Sequence, residues 1–328
     1  MEGICEIIEN NREDWVVFND DFNEELSPDT IQFLSKYQKV MFEYDFNQPV
    51  DNLPNSITHI KFAPYFNHPV DNLPNSLTYI QFGKDFNQPV ENLPESLTHL
   101  MFGEYTAFNQ PVDNLPNSLT HLEFGMYFNQ PVDNLPQSLT HLKFSPYFNQ
   151  PVDNLPESLT YLEFAWEFDQ PVDNLPRSLI ELTFGEKFDQ PVNNLPEFLT
   201  HLKFEESSDF DQSVDNLPRS LTHMEFGYLF NQPVDNLPDS VEQIKFGERF
   251  DQPVDMLPES LTHLEFGRKF NQPVDNLPES VTHLEFGWYF NKPVNNLPKS
   301  LKKLHINSNY SHPLPNNIGI KKKLKYCQ

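Results

Sequence analysis

Eight histidines of this chain recur at multiples of about twenty residues, each within a Leu-Thr-His-Leu pattern or a close variant. If the fold sets equivalent positions side by side, neighbouring imidazoles could share a Zn²⁺ ion. The sequence supplies no converging further ligand and no group that orients the rings. We therefore favour exposed histidines in a half-polar strand and keep a metal-binding histidine ladder as the alternative. The column consists of His59, His99, His121, His141, His201, His223, His263 and His283, and it is interrupted by Tyr79, Tyr161, Glu181 and Gln243.

The histidine column also leads to an expectation about pH. Like charges on neighbouring side chains repel, so the histidines should resist simultaneous protonation. We expect the fold to loosen partially below about pH 6, where free histidine becomes charged.

A column of carboxylates follows the Pro-Val or Ser-Val pair in eleven of thirteen repeats. Stacked carboxylates could bind Ca²⁺, which prefers oxygen ligands. The repeats lack the Gly-rich turns that wrap a backbone around calcium, so local Asx capping and solubility are the favoured explanation. The column is Asp51, Asp71, Glu91, Asp113, Asp133, Asp153, Asp173, Asp215, Asp235, Asp255 and Asp275.

The Asn that follows the repeated Phe is Asp in four repeats, at Asp169, Asp189, Asp211 and Asp251. An Asp oxygen can accept a hydrogen bond as an Asn oxygen does, but it cannot donate one as the amide nitrogen does. We therefore predict that this column acts as an acceptor, which fixes a turn or bonds the backbone of the neighbouring repeat.

The period of the sequence indicates the elements that position these columns. Phe followed by Asn or Asp recurs every 20 residues over 46–290, with 22-residue steps at 86–108 and 188–210. Insertions at one point of a repeat mark a loop on one edge of a stack. The segment LTHLEF (119–124) alternates apolar and polar residues at its end, which predicts a short strand. Two prolines, such as Pro111 and Pro116, disfavour helix in the return segment, which we expect to be irregular or 3₁₀.

A 20-residue segment with one short strand cannot bury enough apolar surface to fold alone. Its strand must pair with the same strand of the next repeat, which predicts a parallel sheet with one strand per repeat and little helix. We expect one continuous solenoid. It comprises an N-terminal cap with a degenerate repeat (1–45), thirteen repeats (46–309) and a basic C-terminal cap (310–328).

The ends of the chain carry weaker signals. Ser27 as N-cap and Pro28 as the first helical residue predict a short helix in the N-terminal cap. A last strand is expected at 324–326, which makes sixteen potential strands when counted from Val16.

Composition narrows the class of protein. A formal net charge of −26 disfavours binding to nucleic acid. The chain has two cysteines, Cys5 and Cys327, at opposite ends, which favours the reducing cytoplasm over secretion. We find no signal-peptide pattern and no apolar run of about 18 residues that would span a membrane. We expect a cytoplasmic protein without a cofactor.

Two sets of less constrained positions are candidates for binding a partner protein. One set points outward along the strands, where neighbouring opposite charges also stabilise the sheet modestly. The other follows each strand, and loops held by a rigid scaffold commonly carry recognition. No nucleophile–base pair or phosphate loop stands out, so we expect no enzyme, and a monomer or a weak dimer through edge strands. The predicted partner-binding residues are Tyr65, His99, Met101, Tyr105, His121, Glu123, Tyr127, His141, Lys143, Tyr147, Tyr161, Glu163, Trp166, Tyr228, Arg249, Arg268, Trp288 and Tyr289.

The core FNQP or FDQP of each repeat resembles the FNIP repeat, and the resemblance covers about residues 40–310. Such repeats are similar to leucine-rich repeats, with L-x-x-L-x-F in place of L-x-x-L-x-L. The resemblance implies an α/β-type open horseshoe whose curved parallel sheet lines the concave face. It also implies an amoebal or giant-virus source, with the host cytoplasm as the location if the protein is viral. Some members carry an F-box and would recruit ubiquitin-ligase substrates. Residues 1–45 lack the Leu-Pro opening and helical trio of an F-box, so that role is the alternative to an interaction scaffold.

Overall fold

The structure is a computed structural model that describes residues 5–10 and 13–314, with side chains from residue 15 to residue 314. The chain divides into two compact units, Met1–Ala165 (unit 1) and Trp166–Gln328 (unit 2). Unit 1 contains β1 (Cys5–Asn10), β2 (Glu13–Phe18), α1 (Pro28–Leu34), β3 (Lys39–Phe42), β4 (His59–Lys61), β5 (Tyr79–Phe82), β6 (His99–Phe102), β7 (His121–Glu123), β8 (His141–Lys143) and β9 (Tyr161–Glu163).

Unit 2 continues the same pattern with one short strand per repeat and no helix in its described part, 166–314. Its strands are β10 (Glu181–Phe184), β11 (His201–Phe204), β12 (His223–Glu225), β13 (Gln243–Lys245), β14 (His263–Glu265), β15 (His283–Glu285) and β16 (Lys303–His305).

Strands from β2 to β9, and from β10 to β16, pair in parallel with their sequence neighbours. In the β7–β8 pair, His121 lies beside His141 and Glu123 beside Lys143. Equivalent letters of successive repeats therefore form columns across each sheet. The predicted parallel arrangement with one strand per repeat is confirmed, and each turn of the solenoid takes about 20 residues.

Two columns of phenylalanine fill the centre of each unit. One phenylalanine follows or ends the strand, and the other begins the next return segment. Within a repeat the two rings stack, as Phe124 and Phe128 do with centroids 3.7 Å apart. Between repeats the spacing is larger, 6.1 Å from Phe128 to Phe148. Columns of Val and Leu fill the rest of the core, so the repeated apolar residues pack against one another.

The Asn of each Phe-Asn pair joins one repeat to the next. The backbone N–H of Asn129 donates to Asn109 Oδ1 at 2.9 Å, and that of Asn149 donates to Asn129 Oδ1 at 3.0 Å. Asp fills the same role in unit 2, where the Asp211 N–H donates to Asp189 Oδ1 at 2.9 Å. The prediction of an acceptor column is confirmed, because only the side-chain oxygen is needed for this bond.

The acidic column also joins neighbouring repeats. Asn134 Nδ2 donates to Asp113 Oδ1 at 3.0 Å, and Asn236 Nδ2 donates to Asp215 Oδ1 at 3.0 Å. The amide of Asn236 and the hydroxyl of Ser213 hold the pKa of Asp215 below its usual value. The explanation by local Asx capping needs correction, because stacking places most of these carboxylates beside an Asn amide of the next repeat, although the repeat after Asp235 carries Met256 in place of that Asn.

The N-terminal part confirms one prediction and adds an element. Helix α1 begins at Pro28, and Ser27 Oγ accepts the backbone N–H of Thr30 at 3.2 Å. Strand β1 pairs with β2 in antiparallel orientation, which the repeat pattern does not predict. β1 thus covers the edge of β2 that β3 does not cover, and exposed strand edges invite unwanted pairing.

The division into caps at 1–45 and 310–328 and thirteen repeats at 46–309 stays a prediction. The last strand expected at 324–326 lies outside the described residues. In the part of the chain that is described, no helix is long and apolar enough to cross a membrane.

Candidate functional site

The first outward residue of each strand forms a column that we call the first column. In unit 1 its residues from β4 to β9 are all aromatic rings, whereas β3 contributes Lys39. His99, His121 and His141 stack in parallel with centroids 4.2 Å apart at each step and interplanar angles of 11°. Wider contacts extend this stack at both ends. One series runs from His99 through Tyr79 and His59 to Trp15, and the other runs from His141 to Tyr161, with neighbouring ring centroids 5.7–6.3 Å apart. The ring faces are therefore covered by one another, and the ring edges point outward.

A threonine before each histidine fixes its tautomer. Thr98 Oγ1 donates its single hydrogen to the carbonyl of Thr78 at 2.9 Å, so it accepts from His99 Nδ1, which lies 2.9 Å away. The same pair of bonds occurs at Thr120–His121 and Thr140–His141. Nδ1 therefore carries the proton in the neutral ring, and Nε2 presents its lone pair outward.

Burial and neighbouring charge lower the pKa of these histidines. The pKa of His121 falls to about 4, because the ring is partly buried and because His99 and His141 lie on either side. Burial and the charge of His141 also lower the pKa of His99. His121 is thus uncharged at neutral pH, and for His99 and His121 burial lowers the pKa more than the repulsion on which the prediction was based.

The stacked geometry does not form a chelating site. Parallel rings 4.2 Å apart direct their Nε2 lone pairs side by side, whereas a shared Zn²⁺ needs lone pairs that converge on one point. Among the described residues, no group of three or more His, Cys, Asp or Glu side chains is arranged to hold a metal ion. The first column presents hydrogen-bond acceptors and ring edges instead.

The second outward residue of each strand forms the second column. In unit 1 Lys143 Nζ lies 3.1 Å from Glu163 Oε1, as the alternating charges predict. Burial raises the pKa of Glu123, with the positive charge of Lys143 acting in the opposite direction. Tyr79 of the first column donates its hydroxyl to Met101 Sδ at 3.2 Å. The two columns therefore form one connected surface, which we call the strand face.

Exposed aromatic residues follow the strands of unit 1 and form what we call the rim. Tyr65, Tyr105, Tyr127 and Tyr147 are 41–56% exposed. Tyr127 and Tyr147 stack with centroids 5.8 Å apart. Tyr44, which the sequence analysis missed, is 59% exposed and contacts Tyr65 edge-on.

Unit 2 presents a different strand face and rim. Its first column holds separate histidine pairs, His201–His223 at 4.3 Å and His263–His283 at 4.2 Å. Burial and neighbouring histidines lower the pKa of His223 and of His283. Glu181, Gln243 and Lys303 occupy the other positions of the column.

The rim of unit 2 combines aromatic and basic residues. The Arg249 guanidinium lies 5.2 Å from the centroid of the Tyr228 ring, and that of Arg268 lies 5.6 Å from the Tyr289 ring. In the second column Lys203 Nζ lies 3.9 Å from Glu225 Oε2, at the limit of an ion pair.

The predicted partner-binding residues all lie outside the core. His141 and the predicted rim residues are exposed, except for Trp288, which is half-buried like the remaining strand-face residues. Three exposed apolar residues were missed, namely Ile180, Phe198 and Met256. Each stands at a position where nearly every other repeat has a polar residue. This departure from the repeat pattern could have identified them in the sequence.

The repeated sequence identifies the family of this chain. The FNIP repeat family matches residues 66–105, 108–147, 131–165, 148–187, 168–206, 188–229, 230–269, 250–287 and 270–308. The chain belongs to the FNIP repeat family. No curated protein matches it.

Solved structures place this FNIP repeat chain beside leucine-rich-repeat proteins. It is 38% identical to CroV588, a giant-virus protein described as a novel circular leucine-rich-repeat structure, with a TM-score of 0.77. The alignment covers 94% of this chain and 55% of CroV588, so the chain spans about half the length of that protein. The Toll–Spatzle complex of Drosophila gives 12% identity and a TM-score of 0.63, over 90% of this chain and 50% of that one. YopM of Yersinia enterocolitica is 20% identical with a TM-score of 0.50, over 88% of this chain and 74% of that one. This fold is typical of protein-interaction scaffolds and is usually non-catalytic.

Proposed function

We propose that this chain is a non-enzymatic scaffold that binds a partner protein through its strand face and rim. The observation that carries the proposal is the row of exposed tyrosines on the rim of unit 1. Tyr105 and Tyr127 are more than half exposed, although tyrosine has a large apolar surface. Tyr, Trp and Arg are the residue types that most often anchor protein interfaces.

The rigidity of the framework supports the same function. Each repeat is tied to the next by backbone pairing, stacked phenylalanines and side-chain bonds such as Ser138 Oγ to the carbonyl of Leu119 at 2.6 Å. The exposed side chains are therefore held in fixed relative positions before a partner arrives. Preorganisation of this kind reduces the entropy lost on binding.

The ubiquitin-ligase alternative has no observation in its favour. Among the described residues before position 46, the chain forms the β1–β2 hairpin, α1 and β3, with a single helix of seven residues. An F-box role needs an amphipathic helical trio, so we do not propose it for this chain.

Affinity capture with a matched control tests the proposal. The bait is the full chain, used against a lysate of amoebal cells, beside a Tyr127→Ala/Tyr147→Ala variant. The control is Phe198→Ser, which removes an aromatic residue that is 61% exposed but lies in the turn before β11, away from the rim. It restores the Ser that other repeats carry at this position.

We expect wild type and the Phe198→Ser control to capture the same protein and the rim variant to lose it. For the purified partner, the Kd of the rim variant should be at least about tenfold higher than that of wild type. Far-UV circular dichroism checks that all three chains are folded. Equal capture by the wild type and the rim variant would remove the rim from the proposal, and loss in the control alone would move the site to the turn that holds Phe198.

A further inference from the structure

Unit 2 contains an open groove beside the ends of its strands. The groove has a volume of about 1190 Å³ and runs along the ends of β11 to β16, between the second column and the rim. Gly247, Gly267 and Gly287 line it, and we call it the glycine trough.

Close packing of the backbone requires glycine at three positions of the trough. A Cβ on Gly247 would lie 1.7 Å from the carbonyl oxygen of Gly227, and one on Gly267 would lie 1.9 Å from that of Gly247. A Cβ on Gly287 would lie 2.0 Å from the carbonyl oxygen of Gly267. Any larger residue at these three positions would force the stacked turns apart.

The dimensions of the trough suit an extended chain. Strand spacing of about 4.8 Å over the five steps from β11 to β16 gives roughly 24 Å. A peptide segment of about seven residues in extended conformation has this length.

The charge of the trough identifies the chemistry of an occupant. Six glutamates and three lysines or arginines line it, so it carries a formal excess of three negative charges. The glutamates come from both walls, with Glu225 and Glu265 in the second column and Glu206 and Glu248 on the rim. A basic segment lying between these walls would meet carboxylates on either side.

The rim wall adds a second feature that suits arginine. Tyr228, which lines the trough, already has the Arg249 guanidinium over its ring, and Trp288 lines the trough three repeats further on. Rings at this position therefore accept a planar cation. A guanidinium is planar, and its N–H donors lie at its edge. An arginine of a partner could therefore stack one face on a ring and donate hydrogen bonds to a carboxylate.

We propose that the glycine trough binds an extended, arginine- and lysine-rich segment of the partner protein. The inference rests on the proposed scaffold function and adds the chemistry of the partner. It concerns unit 2 alone, whereas the evidence for the scaffold function comes chiefly from the rim of unit 1.

A direct binding measurement tests this proposal on the full chain. The probe is a fluorescein-labelled eight-residue peptide of alternating arginine and alanine, followed by fluorescence anisotropy in about 150 mM salt, where long-range attraction is screened. The trough variant is Glu206→Gln/Glu248→Gln. The charge-matched control is Glu197→Gln/Glu259→Gln, which neutralises two exposed glutamates of unit 2 in the turns before the strands, outside the trough.

We expect the trough variant to bind the peptide about five- to tenfold more weakly than wild type, and the control to bind within about twofold of wild type. A Trp288→Ala variant should weaken the arginine peptide more than the corresponding lysine peptide, because the guanidinium gains more from a ring face. Equal weakening in the trough variant and the control would show attraction by net charge only, and would overturn the proposal. Because the measurement uses purified protein and no lysate, such a result would leave the capture experiment on the rim of unit 1 unaffected.

Discussion

The first column of unit 1 carries aromatic rings in contact from Trp15 to His141 and on to Tyr161, whereas that of unit 2 breaks into histidine pairs separated by Gln243. The rims differ in the same way. Tyrosine stacks on tyrosine in unit 1, and arginine lies over tyrosine in unit 2. The strands, core columns and side-chain ladders are alike in both units. The framework is therefore the same in both units, and the units differ at the few positions whose side chains the framework does not need.

Removal of a core phenylalanine should have the largest effect, and it should be equal in the two units. Phe124 stacks on Phe128 in unit 1 and Phe266 on Phe270 in unit 2, both with centroids 3.7 Å apart. We expect Phe124→Ala and Phe266→Ala each to lower the free energy of unfolding by about 3–5 kcal/mol, because each leaves a cavity in the same stack. Urea denaturation followed by circular dichroism measures both. A difference of more than about 1.5 kcal/mol would mean that the two cores are not equivalent.

Addition of a methyl group in the glycine trough should have the next largest effect. Gly267→Ala places a Cβ 1.9 Å from the carbonyl oxygen of Gly247, so backbone must move. We expect a loss of about 1–3 kcal/mol in the free energy of unfolding. Unit 1 has Ala63 and Ser145 at the equivalent position, so Ser145→Ala, which keeps a Cβ there, serves as the reference for a change without a new clash. That reference also loses the bond from Ser145 Oγ to the carbonyl of Phe128. Unchanged stability of Gly267→Ala would show that the turns can separate freely.

Replacement of His121 should change the pH dependence of stability more than its value at neutral pH. The pKa of His121 lies at about 4 in the folded chain, below the ordinary value of 6.5. The folded state therefore binds fewer protons than the unfolded state between these values, and the free energy of unfolding falls as the pH drops from about 6.5 towards 4. Charged or titratable groups near His121 are His99 and His141 beside it, Glu123 on its own strand and Lys143 on the next strand.

We expect the Tm of His121→Tyr, a residue that occurs in this column at Tyr79 and Tyr161, to fall less between pH 7 and pH 5 than the Tm of wild type. His283→Tyr in unit 2 should show a smaller difference, because that ring has one stacked histidine neighbour and not two. Thermal melts at both pH values measure the change. An equal fall in Tm between pH 7 and pH 5 for the His121→Tyr variant and wild type would contradict the role given to burial in the stack.

The second-column ion pairs should have the smallest effect. Lys143 and Glu163 lie 3.1 Å apart in unit 1, and Lys203 and Glu225 lie 3.9 Å apart and more exposed in unit 2. A double-mutant cycle with Lys143→Gln and Glu163→Gln should give a coupling of about 0.5 kcal/mol, and the cycle in unit 2 should give less. A larger coupling in unit 2 would reverse this part of the comparison.

The sequence alone determined the framework of this protein. The repeat has a fixed length of 20 residues and the same apolar residues each time. These residues can be buried only if identical strands stack in parallel register. The same reasoning located the acceptor column of Asn and Asp, the helix that begins at Pro28, and the residues that point outward. These features depend on local sequence and on its repetition, so a linear pattern contains them.

Only the tertiary structure decided what the outward residues form together. The tautomer of the histidines depends on a hydroxyl whose hydrogen is already donated to the preceding repeat, as Thr98 shows. The glycine trough depends on carbonyl oxygens that lie within 2 Å of where a Cβ would be on the next repeat. Each is a relation between residues that are distant in the sequence, and distances between them are fixed by packing and not by the order of the letters.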